Sequence, residues 1–360
     1  MSLTTFTVSA LFAAYLVALV LTFTVMARTR LTRFAWALLP ASLLGGLLAD
    51  LALIAGGDNV GFLFVGRLLT GTCVGVATGA TATLAVTARG EKGRTIAASG
   101  AIFGSFVGLI LGAVVAEYLP GPTTTVYFVH MALLVAVIVL LVFSLYSTRV
   151  ILREALVEPV LSHVPSVHLD LSGRARAAGY GIGLAGWAIG GIAVGILPTA
   201  VREQTGSTSL IVGALAPVVL LFVAWTSPFV FTALGVALRP VQSLGLIAAG
   251  AVLCAKGVAL SNLVLVLAGC VCWGFGQGFA YACGLRILTR GASAVEQGRI
   301  ASRFASFSYG LTAVLALTTG AVSTAWGSAV GMAVAGAVFV LLCSVVAVLG
   351  HGRWSSPVTA

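Results

Sequence analysis

Four ionisable side chains lie within otherwise apolar stretches of the first half of the chain: Asp50, Arg67, Glu117 and His130. A charge in the hydrocarbon of a bilayer costs at least ~2.5–3.5 kcal/mol on insertion scales, so such residues are candidates for functional sites. Asp50 and Arg67 flank one loop, and the helical rise places each roughly 10 Å from it, with His130 at a similar depth. We therefore predict an ion pair between Asp50 and Arg67, with His130 nearby.

This group of side chains is suited to proton chemistry. Protonation of a carboxylate releases a neighbouring arginine to bind a ligand, and deprotonation restores the ion pair. The alternative is that Asp50 and Arg67 only hold two helices together. Glu117 lies at the outer end of its apolar run, where it is either a wet helix terminus or a further proton acceptor.

Aromatic and amide side chains in the second half could contact a ligand. Trp273, Gln277 and Tyr281 are each four residues apart and therefore share one stripe of a helix, and Trp187 and Trp225 also fall within helical spans. If the stripe faces a central cavity, it offers an aromatic surface with one amide to orient a ligand. If it faces a neighbouring helix, it serves packing.

Glycines recur at intervals of four in two neighbouring runs. One series is Gly71, Gly75 and Gly79, and the other is Gly104, Gly108 and Gly112. This spacing places each series on one helix face, where the missing side chains let another backbone approach closely. Both series therefore predict helix-to-helix seams.

Other kinds of site have little support in the sequence. No His/Cys metal spacing, nucleophile elbow or phosphate-binding loop is present, and the six cysteines lie in apolar runs as small packing residues. We therefore expect no enzyme activity, no cofactor and no metal. The net charge of +10 is better explained by basic loops facing the cytoplasmic side of a bilayer than by a nucleic-acid partner.

The composition indicates the elements that hold these residues. The 360 residues are 60% hydrophobic and 8% charged, with a mean hydropathy of +1.14, which is too little polar surface for a soluble globule. A membrane-crossing helix needs ~20 apolar residues. Eleven such runs lie near 5–26, 34–56, 60–88, 95–119, 123–147, 176–201, 209–237, 240–258, 261–288, 300–324 and 327–350.

Charge and repetition predict the topology and the domains. Basic loops alternate with loops of little charge, and the basic loops are expected to face the cytoplasm. This places the amino terminus outside the cell and the carboxyl terminus in the cytoplasm. The expected location is a plasma membrane of bacterial type. We predict an amino-terminal helical bundle (1–147), a cytoplasmic linker (148–175), a carboxy-terminal bundle (176–350) and a cytoplasmic tail (351–360). Within the linker, either a helix lies on the inner leaflet or the segment is simply solvated.

The two halves repeat each other. The turn Glu91-Lys92-Gly93-Arg94 is echoed by Glu296-Gln297-Gly298-Arg299, and each turn follows a glycine-rich span. Duplicated membrane bundles with a substrate site between them are typical of alternating-access carriers.

These residues resemble the major facilitator superfamily of secondary transporters. Arg67-Leu-Leu-Thr-Gly71 is similar to the signature of that family's fourth helix, and the segment from Gly104 to Ala113 is similar to the antiporter-associated signature of its fifth. The resemblance implies an all-α membrane fold of about 11 helices in two pseudo-repeated bundles (5+6), equivalent to helices two to twelve. The first helix is then either encoded upstream of Met1 or naturally absent.

The chain departs from the family pattern at three positions. Ala27 stands where the loop after the first run should carry an aspartate, and Leu109 and Ala113 replace a proline and a glycine of the fifth-helix signature. The resemblance is therefore stronger for the fold than for the mechanism.

The expected function is secondary active transport by alternating access. The similarity to the fifth-helix signature implies export, as by an antiporter, and Asp50 and Arg67 favour coupling to protons. The expected substrate is a small, partly hydrophobic organic molecule. Its partners would be that substrate, protons and the lipid bilayer. The alternatives are an uptake or facilitated-diffusion carrier and a non-transporting protein that handles lipid or serves as a scaffold.

Overall fold

The described part of the chain is helical throughout, as the apolar runs predict. The computed structural model describes residues 5–29, 31–57, 59–161, 172–236, 238–289, 292 and 294–351. A single-turn 3-10 helix, Leu31–Phe34, precedes α2. The α-helices are α1 (Thr5–Arg28), α2 (Ala35–Ala55), α3 (Val60–Tyr118), α4 (Pro122–Leu161), α5 (Gly173–Gly195), α6 (Leu197–Thr205), α7 (Leu210–Ala233), α8 (Pro240–Ala259), α9 (Leu263–Thr289), α10 (Ala294–Trp326) and α11 (Ser328–Gly350).

Helix α3 joins two of the predicted runs. Gly90 has a φ of +53° and a ψ of −128° and separates a first arm, 60–89, from a second arm, 91–118. Glycine adopts this conformation readily because it has no Cβ. Ten helical segments of the described chain are long and apolar enough to cross a membrane, and a shorter apolar segment, Ala13–Arg28, lies in α1. The predicted all-α membrane fold is confirmed.

The chain forms two compact units. The first contains residues from 1–97, 118–168 and 291–310, and the second contains residues from 98–117, 169–290 and 311–360. Each unit thus takes a short segment from the other half of the sequence. The division into bundles at 1–147 and 176–350 stays a prediction.

The first unit is held together by close approach of α3 to α1. A Cβ on Gly71 would collide with the Tyr15 carbonyl oxygen, and a Cβ on Gly75 would lie 2.8 Å from the Thr22 side chain. Deeper along the same seam, a Cβ on Gly79 would lie 2.8 Å from Ser302 Oγ of α10. The first glycine series therefore lies at a helix-to-helix seam.

The second glycine series does not form the seam that its spacing predicts. A Cβ added at Gly104, Gly108 or Gly112 would meet no heavy atom within 4 Å. The second arm of α3 packs instead through Phe103 and Phe106, whose rings contact α7. At 100° per residue these phenylalanines lie on the side of the helix opposite the glycines, and the glycine face meets no close neighbour among the described residues.

The second unit is centred on α9. Helices α5, α7 and α8 pack on α9, and α11 packs on α8 and α5. The approach of α8 to α9 is close, since a Cβ on Gly250 would lie 2.8 Å from the Gly269 carbonyl oxygen. A Cβ on Gly278 would collide with the Ala224 carbonyl oxygen of α7. Glycine thus makes the closest helix contacts of this unit.

The predicted linker begins as a continuation of a membrane helix. The backbone of α4 runs without a break to Leu161, so the proposed helix on the inner leaflet is part of α4 where the chain is described. Residues 162–171 of the linker and 352–360 of the tail lie outside the described residues.

Candidate functional site

The buried carboxylate of Asp50 is paired with His130. The Nδ1 atom of His130 lies 2.7 Å from Asp50 Oδ2, which is a short hydrogen bond of the kind made by charged groups. Asp50 is 4% exposed, whereas the His130 side chain is 53% exposed. The pair therefore joins a buried acid to an imidazole that remains accessible at the surface of the protein.

Packing of α2 against α4 brings these two residues together. Asp50 lies five residues before the end of α2 at Ala55, and His130 lies eight residues after the start of α4 at Pro122. With a rise of ~1.5 Å per residue, these positions are roughly 8 Å and 12 Å from the adjacent helix ends. Similar depth on adjacent antiparallel helices explains the contact.

The ion pair predicted between Asp50 and Arg67 is replaced by the Asp50–His130 pair. Within the described residues, Arg67 makes no hydrogen bond or ion pair. Arg67 is half-buried and lies one helical turn before Gly71, on the side of α3 that packs on α1. There it lies within electrostatic reach of the Tyr15 hydroxyl. The depth of Arg67 was predicted from the sequence, but its direction around the helix was not.

Glu117 lies at the junction between α3 and α7 and is exposed. The backbone N–H of Leu210, the first residue of α7, donates to Glu117 Oε2 at 2.8 Å. A carboxylate at this place satisfies a free N–H group and interacts favourably with the helix dipole. This geometry favours the helix-terminus alternative for Glu117, and a role as a proton acceptor stays a prediction.

The stripe of Trp273, Gln277 and Tyr281 lies inside the second unit. Trp273 is fully buried, and its ring lies 5.7 Å from that of Phe339 in an edge-on arrangement. This side chain therefore packs against a neighbouring helix. Tyr281 is 8% exposed, with its ring 4.7 Å from Trp187 of α5. Gln277 is 2% exposed, and its side-chain oxygen has no hydrogen-bond partner among the described residues.

Two buried polar atoms of this stripe have no hydrogen-bond partner among the described residues: the amide oxygen of Gln277 and the indole Nε1 of Trp273. A buried polar group without a partner is costly, and a bound water or ion is one explanation for it. Trp187 and Tyr281 provide an aromatic pair on the facing helices α5 and α9.

Trp225 is the centre of an aromatic cluster that was not predicted from the sequence. Its ring lies 4.6 Å from Phe103 and 6.3 Å from Phe106 of the second arm of α3. Phe222 and Phe229, about one turn before and one turn after it on α7, lie 6.4 Å and 6.2 Å from it. The spacing of these aromatic residues along α3 and α7 was the available signal. The cluster attaches the second arm of α3 to α7.

The candidate residues fall into two groups by location. Asp50, His130 and Arg67 belong to the first unit, and Gln277, Tyr281 and their aromatic neighbours belong to the second. In the described residues, no cluster of three or more His, Cys, Asp or Glu side chains could hold a metal ion.

Comparison with known proteins identifies the fold. No protein-family model matches the sequence, and no curated protein sequence matches it either. Among solved structures, the chain is similar to the MFS proton:xylose symporter XylE, with a TM-score of 0.66 and 12% identity, over 94% of this chain and 85% of XylE. It is also similar to the nucleoside transporter NupG, with a TM-score of 0.60 and 13% identity, over 96% of this chain and 91% of NupG. The chain therefore has the fold of the major facilitator superfamily.

Proposed function

We propose that this protein is a secondary active carrier that moves a small, partly hydrophobic organic molecule across the plasma membrane. The likeness in fold to two transporters, over 94% and 96% of the chain, carries the proposal. In this account the bundles 1–147 and 176–350 open a midplane site alternately to each side. The linker 148–175 and the tail 351–360 lie in the cytoplasm, as the basic loops require.

Proton coupling is assigned to Asp50 and His130. A hydrogen-bonded carboxylate and imidazole can exchange one proton between them and with water, because each side chain can both accept and donate a proton. Binding of a proton removes the negative charge of Asp50 and weakens its attraction for His130. The contact between α2 and α4 then depends on protonation, which links a proton to the packing of the first unit.

The second unit is assigned a part in substrate binding, through Gln277 and its aromatic neighbours. The unpartnered amide oxygen of Gln277 accepts a hydrogen bond from the ligand, and Trp187 and Tyr281 contact its apolar part. This combination of an aromatic surface and one polar group is typical of sites for partly hydrophobic molecules. Export is the proposed direction, and it rests on the partial fifth-helix signature from Gly104 to Ala113.

The coupling is tested in proteoliposomes that contain a pH-sensitive dye. A panel of small organic solutes is added outside, and solute-dependent proton movement is recorded with and without an uncoupler. The wild-type protein is expected to move protons with at least one solute, and Asp50→Asn to abolish that movement. Lys256→Gln, an exposed change at the outer end of α8, serves as the matched control. Normal proton movement in Asp50→Asn would rule out this pair as the coupling site.

A direction of transport follows from the same vesicles. When an inward proton gradient is imposed, export predicts that preloaded solute leaves faster than it does without a gradient. Equal rates with and without the gradient would indicate a facilitated-diffusion carrier, and accelerated entry of solute with the protons would indicate uptake.

A further inference from the structure

Arg67 is a cation in a membrane helix for which the described residues supply no counter-charge. It lies seven residues after the start of α3 at Val60, roughly 10 Å from the helix end. The carboxylate closest to it in depth, Asp50, is bonded to His130 instead. An arginine cannot lose its charge to relieve this situation, because a guanidinium stays protonated in proteins.

Two other basic side chains of the first unit, Arg299 and Arg33, have described partners. The Arg299 Nε–H donates to the Ala27 carbonyl oxygen at 3.3 Å, and the Arg33 guanidinium lies 4.5 Å from the centroid of the Phe34 ring. Both residues lie close to the ends of their helices. Arg67 differs because it lies within a span that is otherwise apolar and makes no hydrogen bond or ion pair with the described residues.

The surroundings of Arg67 are those of a binding position. The side chain is half-buried, so it is partly shielded from lipid and water. Tyr15 on α1 lies at the same contact between helices, because a Cβ on Gly71, one turn from Arg67, would collide with the Tyr15 carbonyl oxygen. A guanidinium and a phenol are both hydrogen-bond donors, and an oxygen anion accepts from both.

We propose that Arg67, with the Tyr15 hydroxyl, binds an anionic oxygen group of a ligand: a carboxylate, phosphate or sulfonate. This inference rests on the proposed carrier function and narrows its substrate class to organic anions. The planar guanidinium can bind two oxygens of such a group at once, which a lysine cannot do. The phosphate of an outer-leaflet lipid offers the same chemistry, and the test separates the two sources.

The experiment measures thermal unfolding of the purified full-length protein in detergent with four ligands of similar size. Benzoate and phenylphosphate carry the anion, benzylamine carries a cation, and benzyl alcohol is neutral. The wild-type unfolding midpoint is expected to rise with the two anions only. In Arg67→Gln the apparent Kd for them is expected to increase by at least about tenfold, the factor for loss of a charged hydrogen bond.

Three variants exclude a general loss of structure. Arg67→Lys keeps the charge and is expected to retain weakened binding of the anions, whereas Tyr15→Phe is expected to weaken their binding by a smaller factor. Lys256→Gln removes a cation elsewhere and is expected to bind them as the wild type does. An equal response of Lys256→Gln and Arg67→Gln would overturn the assignment to Arg67.

The source of the anion is identified in dodecyl maltoside micelles, which contain no phosphate, with added phosphatidylglycerol or with added diacylglycerol, which lacks the phosphate. If a lipid phosphate occupies the site, phosphatidylglycerol but not diacylglycerol raises the midpoint of the wild type, neither raises that of Arg67→Gln, and benzoate has no effect. If a soluble anion occupies it, benzoate raises the midpoint of the wild type with either lipid. Absence of any anion-dependent rise that requires Arg67 overturns the proposal.

The carrier function is tested separately from this inference. If proteoliposomes transport a neutral or cationic solute and Arg67→Gln transports it equally well, the anion site is wrong and the carrier proposal stands. If anions bind at Arg67 but no solute crosses the membrane, the anion site stands and the carrier proposal is wrong.

Discussion

The hydrogen bond between Asp50 and His130 is predicted to stabilise the packing of α2 against α4, and a double-mutant cycle measures this contribution. The changes are Asp50→Leu, His130→Phe and the two together, each of which replaces a polar group by an apolar one of comparable size. His130→Phe leaves a carboxylate that is 4% exposed without its partner. Asp50→Leu leaves an imidazole that is 53% exposed and that needs no counter-charge when it is neutral.

The burial of the two groups sets the expected magnitudes. Loss of the partner of a buried charged group costs ~1.5–3 kcal/mol, whereas replacement of both partners by apolar groups is nearly neutral. We expect His130→Phe to lose about 2 kcal/mol, Asp50→Leu to lose less than about 1 kcal/mol, and the double variant to recover most of the larger loss. Because His130 is half-exposed, solvent screening should limit the coupling energy to ~1–2 kcal/mol.

Reversible unfolding in detergent with increasing denaturant provides the free energies of the four proteins. The order of stability of the variants is as informative as the size of the differences. His130→Phe is the least stable of the four proteins only if the buried carboxylate of Asp50 depends on the imidazole. Additivity of the two single changes within about 0.5 kcal/mol would refute the reasoning, as would a larger loss in Asp50→Leu than in His130→Phe.

Three further predictions follow from packing and helix-end contacts. Gly71→Ala is expected to lower the free energy of unfolding by ~1–3 kcal/mol through overpacking against α1. The added Cβ of Gly108→Ala meets no described atom within 4 Å, so this change should leave stability unchanged or raise it by up to ~1 kcal/mol. Equal thermal midpoints for the two variants would contradict the contact between α1 and α3. Trp273→Ala removes a fully buried ring and is expected to cost ~3–5 kcal/mol, so an unfolding free energy within about 1 kcal/mol of wild type would show that the ring is not packed. Glu117→Ala removes the acceptor of the Leu210 N–H and should lower the free energy of unfolding by ~0.5–2 kcal/mol, as loss of a helix cap does. Amide hydrogen exchange at the start of α7 should become faster, and unchanged exchange there would contradict the contact.

The helices were predictable from the sequence because a membrane leaves the backbone little choice. Apolar runs of ~20 residues must satisfy their own N–H and C=O groups, and helices do so within the segment. The seam at Gly71 and Gly75 was also predictable, since a four-residue spacing defines one helix face. The non-helical conformation at Gly90 ends the first arm of α3. The sequence showed only a glycine beside a basic turn at this position and did not predict the conformation.

Partner choice in the site depended on information that the sequence does not contain. Arg67 and His130 lie at nearly the same depth, so depth alone could not decide which of them meets Asp50. The rotation of each helix about its axis and the packing of α2 on α4 decided it in favour of His130. In the second arm of α3, the rotation of the helix likewise places Phe106, and not Gly108, against α7. Periodicity defines the faces of a helix but does not assign a neighbour to each face.

The central claim is that this protein moves a solute by alternating access, and counterflow tests it most directly. Proteoliposomes are loaded with an unlabelled solute that shows a response in the dye assay, and a trace of the labelled solute is added outside. A carrier predicts transient accumulation of label inside the loaded vesicles above its outside concentration, and no accumulation in vesicles without protein. Label that only equilibrates, at the same rate in loaded and empty vesicles, would contradict the account.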